Sequence, residues 1–207
     1  KVLDTIEELH LVPYRSESYR KTLEDEDRKE VNVRAELQKI GLLKRFESSV
    51  EAIRNSIARL VRFYEYFERT LQSGKILSSH AFRKALSQID NSLDDEEAFF
   101  QEMEKIDLVS LTGEYDKAQT RKDIIEDLER LRALKKDLDR IPVYADRKLS
   151  ALGELLARDN VFQVDGKKCL VFTQYMDTAE YLFKNLKDQL EKQGKRISLL
   201  TGKTGAQ

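Results

Sequence analysis

Apolar residues recur through positions 35–73 at alternating intervals of three and four: Leu43, Phe46, Val50, Ile53, Ile57, Leu60, Tyr64, Phe67 and Leu71. That interval keeps them on one narrow stripe, so it predicts a long helix packed lengthwise on another helix. Gly74 is placed to end it in a left-handed conformation. A second stripe, Ile124, Leu128, Leu131, Leu134 and Leu138, predicts a helix from Asp116 to Arg140, closed by Pro142. At 1.5 Å per residue both helices reach roughly 40–55 Å, which allows an antiparallel pairing. Between them the pattern predicts a shorter helix at Ser79–Ile89 and another opened by Asp94-Asp95-Glu96-Glu97. Those acids offset the macrodipole of a first helical turn, and Phe99, Phe100, Met103 and Ile106 read as core. Lys1–Val33 shows no clear period; its first half ends near Leu11-Val12-Pro13-Tyr14, and Glu24–Glu30 reads as an exposed charge run.

The period changes after Pro142. A helix from Asp146 to about Arg158 presents Leu149, Leu152, Leu155 and Leu156, and Asp159–Gly166 is a polar turn. Cys169-Leu170-Val171-Phe172 shows no polar alternation, as expected of a parallel strand covered on both faces. Asp177 and Glu180 have capping-box spacing. The helix they open carries Tyr181, Leu182, Leu186 and Leu190, ends at Gly194, and is followed by a second short strand, Ile197–Leu200. The expected fold is therefore mainly α, with long antiparallel helices in a coiled-coil-like body and a small partial parallel α/β unit at the C-terminus. Its parts are a connecting segment (1–34), a helical domain (35–142) and the α/β unit (143–207). Two parallel strands do not make a stable sheet alone, and the chain opens on Lys1, so the pattern reads as a piece of a larger α/β protein.

Charged residues make up 36% of the 207 and leave a net charge of −1, which suits solvated amphipathic helices and argues against a strongly basic nucleic-acid-binding domain. Arg54, Arg59, Arg62 and Arg69 lie off the apolar stripe among Glu51, Glu65 and Glu68, as on a solvated helix face. No apolar run spans a bilayer and no signal peptide is visible, so no membrane partner is expected and the protein is placed in the cytoplasm. Cys169 reads as a buried small hydrophobe of a reducing compartment. His10 and His80 lack a second ligand at metal spacing, and no metal is expected.

Two polar steps, Thr173-Gln174-Tyr175 and Thr201-Gly202-Lys203-Thr204, fall at the carboxyl ends of the two expected strands. In open α/β sheets that edge is where ligands bind. Hydroxyls, an amide, a lysine and a small glycine suit a phosphate-bearing ligand, and they equally suit ordinary β-to-α turns. Gly202-Lys203-Thr204 imitates the end of a P-loop, but that loop needs a glycine five residues before its Gly-Lys, where Ile197 stands. The triplet therefore does not wrap a triphosphate.

Together, Asp146-Arg147-Lys148-Leu149, then Lys168 to Tyr175, then Leu199-Leu200-Thr201-Gly202-Lys203-Thr204 resemble the opening of the second RecA-like lobe of Swi/Snf-type superfamily 2 helicases. Phe172-Thr173-Gln174-Tyr175 matches that family's motif IV. Leu200-Thr201-Gly202-Lys203-Thr204 matches the motif after it, with Thr201 where an aspartate is more usual, so no acid acts there. Leu42-Leu43-Lys44-Arg45-Phe46-Glu47-Ser48-Ser49 resembles the helical insertion between the lobes of bacterial members. The resemblance implies an ATP-driven motor gripping the phosphates of a nucleic acid, with the choice between DNA and RNA left open. Thr173, Gln174 and Tyr175 would lie on its path, and Thr201, Gly202, Lys203 and Thr204 would face phosphate. The implied partners are nucleic acid and the rest of the helicase core, with a protein partner possible through the long helices. ATP and magnesium belong to the intact parent, and none is expected here, because the P-loop, the magnesium motif and the arginine-finger motif are missing and hydrolysis needs them together. The competing reading is a coiled-coil interaction module with a small α/β cap.

Overall fold

The computed structural model describes residues 1–77, 108–110, 113–157 and 169–202. The expected helices at 79–89 and 94–106 and the polar turn at 159–166, with His80, lie outside the described residues. The chain is mainly helical. It divides into two compact units, Lys1–Gly41 with Ala58–Leu134, and Leu42–Ile57 with Lys135–Gln207. The division runs through the long helices.

In the first unit, helix α1 (Val2–Glu7) leads into a 3-10 segment, Val12–Tyr19, with Pro13 in its first turn, where a missing N–H leaves no bond unmade. This stretch, which has no readable period, is central: Ile6, Leu9, Leu11 and Val12 are fully or almost fully buried. They pack in the same unit as Phe63, Tyr64 and Phe67 of helix α3 (Val50–Gln72), and Ile124, Leu128, Leu131 and Leu134 of helix α4 (Lys117–Asp139). The α4 stripe is thus buried as its spacing predicts. Helix α2 (Asp25–Ser48) buries Val31 and Ala35 in this unit while Val33, Leu37 and Ile40 stay exposed. Gly74, at φ 74°, closes α3 as expected, and β1 (Lys75–Leu77) pairs antiparallel with β2 (Leu108–Ser110), Ile76 opposite Val109.

The single helix predicted over 35–73 is two. The hydrogen bonds Ser49 N to Arg45 O and Ile53 N to Ser49 O bridge the break. Ser49 Oγ accepts from Ala52 N at 3.0 Å, the geometry of an N-cap hydroxyl, so a serine pair that competes with the backbone restarts the helix at Val50.

In the second unit, helix α5 (Arg147–Ala157) packs on helix α6 (Met176–Glu191) through Leu149, Leu156, Tyr181, Leu186 and Leu190, with Leu152, Leu182 and Ile197 at the margin. Asp146 organises the pair. Its Oδ1 accepts from Lys148 N and Leu149 N at 3.0 and 3.1 Å, capping α5, and its Oδ2 accepts from Tyr181 Oη at 3.1 Å. Gly194, at φ 74°, ends α6 as its position predicts, with Lys195 N donating back to Leu190 O and Gly194 N to Glu191 O, the Schellman pattern. Lys195 Nζ then donates to Leu156 O and Ala157 O at 2.9 and 2.8 Å, satisfying the last carbonyls of α5.

Three expectations fail here. Neither Cys169–Phe172 nor Ile197–Leu200 forms a strand; Leu170, Phe172 and Leu200 are 72%, 88% and 84% exposed. Parallel ladders hold when flanked by further strands and covered on both faces, and among the described residues neither segment has such a neighbour. Cys169 is accordingly exposed, not buried. Asp177 does not cap α6: the N-cap position is Tyr175, without a side-chain cap, and Asp177 turns to other partners.

Candidate nucleic-acid interface

The Thr173–Tyr175 step and the start of α6 lie against the α2–α3 junction within the second unit. Arg45, near the end of α2, stacks its guanidinium over the Tyr175 ring at 4.6 Å and reaches Asp177 Oδ2 with Nη1 at 3.1 Å. Asn55 Nδ2 donates to the other Asp177 oxygen at 3.0 Å. The Ser48 and Ser49 hydroxyls each lie 2.8 Å from Thr178 Oγ1, and Ser48 lies 3.5 Å from Thr173 Oγ1. Thr173 Oγ1 also accepts from Tyr175 N at 3.4 Å. Lys148 Nζ donates to Glu47 O, tying the start of α5 to the same junction.

Thr173 and Tyr175 are therefore half-buried and held, while Gln174 between them is exposed. Thr201 is half-buried and Gly202 exposed in the irregular chain after Leu200; Lys203 and Thr204 lie outside the described residues. The start of α6 does not fit a magnesium nucleotide. Thr173-Gln174-Tyr175 in front of it is no glycine-rich cradle, and its first-turn acid is engaged by Arg45 and Asn55.

A second polar cluster, absent from the expectations above, lies in the first unit. Asp127 is fully buried on α4; its Oδ1 accepts from His10 N at 2.7 Å, and its Oδ2 from Leu11 N at 2.8 Å and Tyr64 Oη at 2.7 Å. Leu11 sits at φ 52°, a left-handed conformation uncommon for leucine, and its amide nonetheless has a charged acceptor. Burial pushes the Asp127 carboxyl up, against the lowering effect of the Tyr64 hydroxyl and the two amides. Burial also pushes the Tyr64 and Tyr19 hydroxyls up, with Asp127 and Asp123 adding to it.

His10, Asp123 and Glu126 bring three ligand-type atoms within 4.8 Å of one another. Each of these side chains is already engaged by other donors. Asp123 accepts from Tyr19 Oη at 2.6 Å and Gln119 Nε2 at 2.7 Å, and Glu126 lies 3.3 Å from His10 Nε2. The Arg15 guanidinium lies 3.2 Å from His10 Nδ1 and 4.0 Å from Asp123, a cation standing where a second cation would be repelled. The group is an internal ion and hydrogen-bond network. A legible signal for it existed: Thr120, Asp123 and Asp127 fall on the apolar stripe of α4, and a carboxylate at such a position needs partners.

Compared with known proteins, the chain matches no family model, no curated protein and no solved structure.

Proposed function

We propose that this chain is part of an ATP-dependent nucleic-acid translocase of the Swi/Snf helicase type, comprising the helical insertion and the first α/β elements of its second RecA-like lobe. One observation carries the reading. The apolar segment Cys169–Phe172, and Leu200 at the end of the Ile197–Leu200 segment, flank an amphipathic, well-packed α6, yet lie exposed and, among the described residues, without strand partners, as strands do whose sheet neighbours are elsewhere. In that lobe Gln174, exposed at the end of the first segment, meets the nucleic-acid backbone, joined by Thr173, Tyr175 and the Thr201–Thr204 step. The protein works in the cytoplasm, with ATP and magnesium bound by parts of the parent outside these residues. A protein partner is accommodated on α2, where Val33, Leu37 and Ile40 recur at intervals of four and three and are exposed by 58%, 58% and 47%.

The reading frame beyond Gln207 tests this. It is expected to continue with further strands and a Gln-x-x-Gly-Arg-x-x-Arg-like segment within roughly two hundred residues, the size of an ordinary domain. Its whole product is expected to hydrolyse ATP faster with DNA present, and Gln174→Ala to weaken that stimulation. The 207 residues by themselves are expected to hydrolyse no ATP and to hold DNA with Kd of about 10⁻⁴ M or weaker at physiological salt. A frame that closes without such a segment, or micromolar nucleotide binding by the 207 residues, would overturn it.

A further inference from the structure

Four of the six residues in Thr173–Thr178 are fastened to the α2–α3 junction by side chains: Thr173 to Ser48, Tyr175 to Arg45, Asp177 to Arg45 and Asn55, and Thr178 to Ser48 and Ser49. Gln174 is bracketed by two of these anchors and points its chemistry at solvent. Arg45 is committed within the protein, its plane on an aromatic ring and one nitrogen on a carboxylate that is itself only 11% exposed. A guanidinium held on both counts is a strut, and lysine, a flexible point charge, reproduces the ion pair without the stack.

We propose that Arg45, Ser48, Ser49 and Asn55 are positioning residues that lock the Thr173–Thr178 backbone, so that Gln174 is presented to a nucleic-acid strand already in its binding conformation. The ligand rests on the function proposed above; the lock does not. A loop fixed beforehand loses less conformational freedom on binding, so the lock raises affinity without touching the ligand. It also makes the insertion-like segment at 42–55 a control point for the loop, because any change that displaces Arg45 removes the stack on Tyr175 and one of the two side-chain partners named for Asp177 together.

The amides of Thr178 and Ala179, which both donate to Tyr175 O, report on the lock by hydrogen exchange in the 207-residue chain. Arg45→Ala is expected to speed exchange at these two amides about tenfold, while Ser150 N and Lys192 N, bonded elsewhere in the same unit, keep their rates. If Arg45→Ala loosens the whole unit, Arg45→Lys decides. A smaller acceleration confined to Thr178 and Ala179 supports the lock, and unchanged rates there overturn it. Titration with an oligothymidylate of about twenty nucleotides, read at the Gln174 resonances, separates the two ideas. A Gln174 response in the unaltered chain that weakens severalfold in Arg45→Lys supports the proposal. An equal response in both chains overturns the lock, and none in the unaltered chain overturns the nucleic-acid reading.

Discussion

Asp127 shows how one side chain organises a region that has no periodicity of its own. The carboxylate takes two successive backbone amides of the N-terminal segment and the hydroxyl of Tyr64, so it joins that segment to α3 and α4 at one buried point. Asparagine has the same shape but turns an NH₂ towards one of those donors. Asp127→Asn is therefore expected to lower the unfolding free energy by about 1–3 kcal/mol at neutral pH, the usual range for stranding a buried donor. The pH dependence has a definite sign. Because burial raises the carboxyl, the folded state holds more protons than the unfolded one between the unfolded value of about 3.9 and the folded value. The group's contribution is thus fully present at low pH and declines as pH rises through the folded value. Urea unfolding of both proteins between acid and neutral pH should show the stability gap between them widening on acidification; a gap that narrows would mean a depressed carboxyl.

Among the elements, α3 and α4 were the most legible and the N-terminal segment the least. Ile53, Ile57, Leu60, Tyr64 and Phe67 are buried because a regular stripe on a long helix leaves few other ways to hide apolar area. The break at Ser49 was not legible, since the stripe continues through it without a slip and only the side-chain bonds reveal the restart. The stretch from His10 to Tyr19 was hidden for another reason: its order comes from partners over a hundred residues away, such as Asp127 for Leu11 and Asp123 for Tyr19, and a local window does not contain them. The junction has its own test. Ser49→Ala removes the α3 cap and one partner of Thr178, and denaturant unfolding of the second unit is expected to lose about 1–2 kcal/mol. A loss below about half a kilocalorie per mole would mean that the neighbouring Ser48 takes over both tasks.

At the scale of the molecule, the chain divides into two units that share the long helices α2, α3 and α4, and among the described residues no helix is long and apolar enough to cross a membrane. Where the interior of each unit was readable from apolar spacing, the strands were not formed, because a strand is completed by its neighbours and a sequence window shows one segment at a time. Thr173, Gln174 and Tyr175 lie between the Cys169–Phe172 segment and α6; what holds Thr173 and Tyr175, Arg45 and the serines, sits some 125 residues earlier, as in the Ser48–Thr173 contact. Leu170, Val171 and Phe172 remain open to pairing with any extended chain. The 207 residues are expected to self-associate as concentration rises, and Val171→Lys to suppress this in sedimentation velocity; association that survives the charge would place the contact elsewhere.

Asp146 gives the second unit a different property. One of its oxygens receives the first amides of α5 and the other receives the hydroxyl of Tyr181 on α6. Fraying the front of α5 pulls away the acceptor on which Tyr181 depends, and tilting α6 away strips a partner from the carboxylate that starts α5. The start of α5 and the Tyr181 turn of α6 consequently give way together, whereas the first turn of α6, held by the α2–α3 junction, opens on its own account.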